Sequence, residues 1–215
     1  MSDPNEARRR FGIDREAQTR HVFSEKETEI LQELGLQIHT FLGTTPRQLI
    51  DENEDFILGG ENAGVVGISL TEFNHVLDER TIAGMQAAYS PSDENTSFIF
   101  HETRTKPYKE QLKILKDYQN SLMMSPELKG IRVSPPTAPE GIELAFIDPN
   151  LLAHATPSST RTRTVDPINN QRIFIAGRLT SDNRANNVVI RLGFPDESCA
   201  IGVGLAPLVY PSYII

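Results

Sequence analysis

The sequence predicts an α+β protein in which a helical N-terminal layer packs on a mostly antiparallel C-terminal β-sheet. Every lysine of the 215-residue chain lies at or before Lys129, and ten of the fourteen prolines lie at or after Pro126. Helix-start patterns are concentrated in the first half, and segments of alternating apolar residues in the last third. We therefore predict a mobile arm at 1–20, a mainly helical region at 21–129 and a β-rich region at 130–215, the last two packed as one unit.

The first half contains three patterns that start helices. In each, Ser or Thr is followed three positions later by Glu or Gln, the capping-box spacing that satisfies the free amides of a first turn. These pairs are Ser24–Glu27, Thr45–Gln48 and Ser69–Glu72. Apolar spacing extends the first predicted helix to Gly43 and the third to Ala87. A strand is predicted at 97–102, and a long helix from Pro107 to Met123 whose inward side carries Tyr108, Leu112, Leu115, Tyr118 and Leu122.

The second half begins with prolines at 135, 136 and 139, which predict an extended, polyproline-like connection. Alternation predicts a strand at 142–147 and three closing strands at 172–179, 187–194 and 199–205. The polar stretch at 156–166 is predicted to be an exposed loop. One side of the last strand carries only Ala200, Gly202 and Gly204, so a second layer or a ligand can approach that backbone closely.

Charge and cysteine content narrow the function classes. The net charge of −8 comes from residues 1–129, which hold fourteen Lys/Arg and twenty-two Asp/Glu. This negative charge argues against general binding of nucleic acid or anionic lipid. The single cysteine, Cys199, excludes an intramolecular disulfide and a multi-cysteine zinc site. No signal peptide is recognised. The uncharged segment 198–215 contains Gly and Pro, which weaken a membrane helix, so we predict that it forms buried strand. We expect a soluble, cytoplasmic protein.

Glu72 and His75 are the candidate catalytic or metal-binding pair, because Glu-x-x-His on a helix puts a carboxylate and an imidazole on one face. Carboxylate-bridged metal sites need a second such pair, which the sequence lacks, so we predict neither a metal site nor a cofactor. A solvated helix face with a local ion pair is the simpler interpretation. The glycine-rich segment at 59–64 resembles a phosphate loop, but it lacks the lysine and the following helix that such a loop needs, so we predict an ordinary flexible turn.

Three segments are candidate binding surfaces. Lys109, Lys113 and Lys116 lie on one face of the predicted long helix, where they form either a site for an acidic partner or only the solvated side of an amphipathic helix. Arg161 and Arg163 lie among Ser and Thr residues, in either a phosphorylation-tuned docking loop or an ordinary exposed loop.

The third segment, Pro136-Thr137-Ala138-Pro139, resembles the PTAP late-domain motif, with which viral structural proteins recruit the host membrane-budding machinery. A preformed extended segment binds a groove at little ordering cost. The resemblance covers four residues and no fold. A rigid linker is the alternative interpretation, and the local richness in proline favours it.

The sequence thus predicts a soluble, non-catalytic protein–protein recognition protein, encoded by a pathogen or virus and acting on host components in the host cytoplasm. Homo-oligomerisation through the C-terminal strands is a further expectation. The alternative is an enzyme with a site between the helical and sheet layers, acting on a phosphorylated or nucleotide-like substrate. An enzyme would bring together at least two of His75, His101, Glu72, Glu102 and Cys199, whereas a recognition protein would keep them apart and expose its proline segment.

Overall fold

The computed structural model describes residues 22–53, 57–62, 65–68, 70–91, 98–152, 159–168, 170–177, 187–192, 196 and 203–211. Five α-helices lie within these ranges: α1 (Glu25–Glu33), α2 (Pro46–Asp51), α3 (Asn74–Leu77), α4 (Tyr108–Leu122) and α5 (Ala138–Ile147). Short 3₁₀ turns cover Leu70–Phe73, His101–Thr103, Pro126–Leu128 and Pro149–Leu152. The arm predicted at 1–20 lies outside the described residues.

The strands form two sheets. In the order of the chain they are β1 (Gln37–Thr40), β2 (Ile57–Asn62), β3 (Val65–Ile68), β4 (Gln86–Tyr89), β5 (Arg132–Ser134), β6 (Ser159–Val165), β7 (Arg172–Gly177), β8 (Asn187–Leu192), β9 (Val203–Gly204) and β10 (Leu208–Tyr210). The smaller sheet has the order β1-β4-β10-β5 and is antiparallel throughout. The larger has the order β3-β2-β8-β7-β6-β9, with parallel pairing only between β2 and β8 and between β6 and β9.

The structure confirms the α+β class and the predominance of antiparallel strands. The N-terminal region is less purely helical than predicted, because it supplies β1 and β4 to the smaller sheet and β2 and β3 to the larger one. Both sheets therefore join strands from the two halves of the chain. The C-terminal strand β10 has both edges paired within the chain, to β4 and to β5.

Three apolar clusters lie in the described part of the chain, and the two larger ones cover the sheets. The main cluster lies between α5 and the larger sheet and includes Ile142, Ile175 and Ile190, all fully buried. A second cluster joins α1 and α4 to the smaller sheet through Leu31, Leu122 and the strand residues Ala88 and Val209. No helix in the described part of the chain is long and apolar enough to cross a membrane.

Local capping chemistry sets where several helices begin. The capping boxes at Ser24 and Thr45 both form, so the starts of α1 and α2 are confirmed. The first helix nevertheless stops ten residues before the predicted Gly43 (it ends at Glu33), because Gly35 takes φ +79° and turns the chain into β1. The third predicted helix is reduced to a 3₁₀ turn and the four residues of α3. Ser69, its expected cap, lies outside the described residues.

Three further elements differ from the sequence prediction. Residues 98–102 are not a strand; they include the start of the His101–Thr103 turn. Residues 142–147 are not a strand but the second half of α5. The glycine-rich turn predicted at 59–64 instead contributes residues 59–62 to β2, while 63–64 lie outside the described residues.

The close approach predicted for the last strand is confirmed at Gly204. A Cβ atom there would lie 2.5 Å from Ile99 Cγ2 and 2.8 Å from Thr103 Oγ1. The Thr103 hydroxyl also accepts a hydrogen bond from the Leu205 amide at 2.8 Å. The segment before α4 thus packs directly on β9 and fixes where α4 begins.

Candidate functional site

Helix α4 carries the exposed lysine row that the sequence predicts. Its inward side is defined by Tyr108, Gln111, Leu115 and Leu122, all buried. Lys109, Lys113 and Lys116 are exposed, and no ion pair or hydrogen bond joins their side-chain ammonium groups to any other described residue. Leu112 lies beside them and is 39 % exposed, although the sequence pattern had predicted it to point inward. We call Lys109, Leu112, Lys113 and Lys116 the basic face.

The N-terminal end of α4 is held by buried polar contacts. Gln111 donates from Nε2 to the Thr103 carbonyl oxygen at 2.7 Å and accepts from Arg161 Nη1 at 3.0 Å. The Tyr108 amide donates to the Asp196 carbonyl oxygen at 2.8 Å, and the Arg172 guanidinium lies 3.7 Å from the centre of the Tyr108 ring. These contacts fix the rotation of the helix, so the basic face points away from the sheets.

The two arginines predicted on an exposed loop lie instead on strand β6. Arg161 is 1 % exposed and packs over the Phe174 ring. The exposed-loop prediction for 159–165 is therefore wrong, because guanidinium partners inside the fold allow an arginine-bearing strand to be buried. Residues 156–158 lie outside the described residues. Arg161 cannot touch a partner without rearrangement of the sheet.

Arg163 is half-buried and belongs to a charged cluster around the buried Glu140. Its Nη2 donates to both oxygens of Glu140, at 2.7 and 2.9 Å, and Nη1 donates to the Ser134 hydroxyl at 2.9 Å. Tyr210 donates its hydroxyl to Glu140 Oε2 at 2.8 Å. Burial and the nearby Glu140 carboxylate hold the pKa of Tyr210 well above its ordinary value, so the phenol stays a donor. The cluster ties α5, β6 and β10 together.

The proline segment begins helix α5. Thr137 is the N-cap, its hydroxyl accepts from the Glu140 amide at 3.3 Å, and Glu140 accepts from the Thr137 amide at 2.7 Å. Pro136, Ala138 and Pro139 are buried. Thr137 is extended, with φ −69° and ψ 166°, but the exposed, extended conformation predicted for the whole segment is wrong, because a capping box starts a helix at Ala138. A binding role for residues 136–139 stays a prediction, and it would require this helix start to unfold.

A second buried carboxylate, Glu143 on α5, was not found by sequence reasoning. Its Oε1 lies 2.8 Å from His39 Nε2 and accepts from the Leu42 amide at 2.8 Å, and its Oε2 accepts from Thr81 at 2.7 Å. Burial raises the pKa of Glu143, but the hydrogen bonds from His39, Thr81 and Leu42 more than reverse this and leave the pKa below its ordinary value. The carboxylate is saturated by structural donors.

The candidate catalytic residues remain separate. Glu72 is exposed, and His75 Nε2 lies 3.6 Å from Asp166 Oδ1, which is too long for a hydrogen bond. His101 and Glu102 are exposed on another turn. No hydrogen bond or ion pair joins any two of these four side chains in the described part of the chain. Cys199 lies outside it.

Glu79, which follows α3 and lies four residues after His75, has a shifted pKa. Burial raises the pKa of Glu79 and the Glu140 carboxylate adds to this, against the opposite influence of His75 and Arg163. Among the described residues, no group of three or more His, Cys, Asp or Glu side chains is arranged to hold a metal ion.

Comparison of the chain with protein-family models, with curated proteins and with solved structures found no match. What the molecule can do is therefore inferred from its own surfaces. The buried charged groups at Glu140 and Glu143 are engaged in holding the fold together. The basic face is the one predicted binding surface that the described structure leaves open to a partner.

Proposed function

We propose that this chain is a non-catalytic protein that recognises an acidic protein partner through the basic face of α4. The observation that supports the proposal is a contrast in how cations are used. Arg161, Arg163 and Arg172 bind carboxylate or carbonyl oxygens of this chain in partly buried contacts. The three lysines of the basic face, by contrast, have no acidic partner among the described residues.

Electrostatics add a physical reason for a partner. Lys113 has the acids Glu110 and Asp117 three and four residues away, which attract it. Lys109 and Lys116 lie at the same spacings from Lys113, so two pairs of like charges are also neighbours on the helix surface. Each such pair destabilises a helix by about 0.2–0.5 kcal/mol. An acidic partner would relieve this repulsion and would be drawn to a local positive patch on a chain with net charge −8.

The test is affinity capture from a lysate of cells that express the protein, with three baits compared by quantitative mass spectrometry. The baits are the wild type, the variant Lys109→Gln/Lys113→Gln/Lys116→Gln and a charge-matched control. The control, Lys26→Gln/Arg47→Gln/Arg80→Gln, removes three positive charges from other exposed positions. We expect a protein captured by the wild type and the control but lost from the lysine variant. Identical capture by all three baits would refute the proposal.

The cellular setting is part of the same proposal. We place the interaction in the cytoplasm, and an origin in a pathogen or virus rests on the short resemblance at residues 136–139. If copies of this chain associated through the C-terminal strands, they would pair through an edge strand such as β9, since both edges of β10 are already paired.

One observation favours the enzyme alternative: His75 Nε2 lies near the buried Asp166, with no hydrogen-bond partner of its own among the described residues. A histidine oriented by a carboxylate is a common general base. A thermal-shift screen with nucleotides and divalent metal ions tests this. Stabilisation by one ligand that His75→Ala abolishes would favour an enzyme, and no shift would count against it.

A further inference from the structure

We infer that the basic face binds an acidic amphipathic α-helix. This inference rests on the proposed function and names the kind of partner. The observation that supports it is Leu112, an apolar side chain that flanks the three lysines and stays 39 % exposed. Its position relative to Lys109, Lys113 and Lys116 follows the spacing i, i+3, i+4, i+7. That spacing places all four side chains on one stripe over two helical turns.

The exposed surface of α4 is ordered by charge around the helix. With about 100° per residue, measured from Tyr108, Leu112 lies at about 40° and the lysines lie between about 80° and 140°. The exposed acids Glu110 and Asp117 follow at about 200° and 180°. Leu112, the three lysines and the two acids thus occupy successive sectors around the helix. A partner that places an apolar side chain on Leu112 and carboxylates on Lys109 and Lys116 stays on the side of the lysines away from these acids, whereas Lys113 borders both of them.

The dimensions of the stripe fit a helix. Lys109 and Lys116 are separated by a rise of about 10 Å, which is two turns. A partner helix that repeats carboxylates at i, i+4 and i+7, with leucine at i+3, presents the same repeat to the lysines and to Leu112. Helix-in-groove and helix-on-helix recognition both use anchors at this spacing.

A nucleic acid fits less well. A strand of phosphates gains nothing from Leu112, and a duplex about twice as wide as a helix would overlap Glu110 and Asp117. The net charge of −8 opposes a polyanion beyond the immediate patch.

The experiment measures binding of two fluorescent peptides to the intact protein by anisotropy. The first is an alanine-rich helix of about 16 residues with Glu at i, i+4 and i+7 and Leu at i+3, since shorter isolated helices are marginal in water. The second has the same composition in scrambled order. A single-stranded RNA oligonucleotide is the third probe. We expect the first peptide to bind about tenfold more tightly than the scrambled one, with affinity falling as salt is raised.

Two variants separate the contributions. Lys109→Gln/Lys113→Gln/Lys116→Gln should weaken the first peptide about tenfold, because three surface ion pairs are lost. Leu112→Asn should weaken it about threefold while leaving the scrambled peptide unchanged. Equal affinities for the two peptides, tighter binding of the RNA, or no binding by any probe would overturn the inference.

The outcomes also separate this inference from the proposed function. Lysate capture that depends on the lysines, combined with equal binding of both peptides, would keep the recognition surface and reject the helical partner. Capture that is independent of the lysines would reject both.

Discussion

Removal of the Glu143 carboxylate is the sharpest test of how the fold uses its buried charge. This side chain is fully buried, and it joins β1, the segment around Leu42 and the segment at Thr81 to helix α5. Glu143→Ala leaves the Leu42 amide, the Thr81 hydroxyl and the His39 ring without their acceptor. Glu143→Gln keeps the shape and one acceptor oxygen but removes the charge.

The magnitudes follow from the contacts. An unsatisfied buried donor costs about 1–3 kcal/mol, and breaking a buried charged pair costs about 3–5 kcal/mol. Because His39 and Leu42 are partly open to water, which can replace the lost acceptor, we expect Glu143→Ala to lower the free energy of unfolding by about 4 kcal/mol. Glu143→Gln should lower it by about 1–2 kcal/mol, since the Thr81 hydroxyl can turn to accept from the new amide.

Urea denaturation followed by far-UV circular dichroism measures both changes in the free energy of unfolding. Because the chain has no tryptophan, the fluorescence of its five tyrosines provides the second probe. Thr81→Val, alone and combined with Glu143→Gln, completes a double-mutant cycle with an expected coupling of about 1 kcal/mol. If Glu143→Ala cost less than about 1 kcal/mol, the carboxylate would not be a structural anchor and the reasoning would be refuted.

Three further predictions use the same fold. The pKa of Glu143 is lower in the folded than in the unfolded chain, so its contribution to the free energy of unfolding is present above about pH 4.5 and is lost on acidification. In urea titrations the stability difference between wild type and Glu143→Gln should therefore shrink from about pH 6 to about pH 3, and a constant difference would contradict this prediction. A Cβ at Gly177 would overlap the Leu152 carbonyl, whereas a Cβ at Gly59 would lie 4.0 Å from Val189 Cγ2. Gly177→Ala should therefore lower the free energy of unfolding by about 3 kcal/mol and Gly59→Ala by less than about 1 kcal/mol; equal thermal shifts would be evidence against this packing. Tyr210→Phe keeps the ring beside two guanidinium groups but removes the hydrogen bond to the Glu140 carboxylate. Chemical denaturation should show that the free energy of unfolding falls by about 2 kcal/mol, and no change would argue against a stabilising role for the Glu140 cluster.

Local chemistry made part of the fold predictable. The capping boxes at Ser24 and Thr45 act within four residues of sequence, and both form as predicted. Helix α4 was predicted within one residue at each end, because its stripe of inward residues repeats over four turns. The exposure of its lysines followed from the same periodicity.

Long-range pairing explains most of what the sequence did not reveal. Helix α5 is buried on nearly all sides, so its apolar residues lack a helical stripe and their local alternation resembled a strand. The signal that could have identified it is the Thr137–Glu140 capping box. The partner of Glu143, His39, lies 104 residues away, and no local pattern links the two. Likewise, the burial of Arg161 depends on Gln111, fifty residues earlier.

Acetylation footprinting of lysines, with and without the captured partner, tests the recognition surface most directly. The reagent labels exposed amines, and mass spectrometry reports the rate at each lysine. The account predicts that the partner slows acetylation of Lys109, Lys113 and Lys116, while Lys26, which is paired with Glu127 at 2.9 Å on another surface, keeps its rate. Unchanged rates on α4, with protection elsewhere, would contradict it.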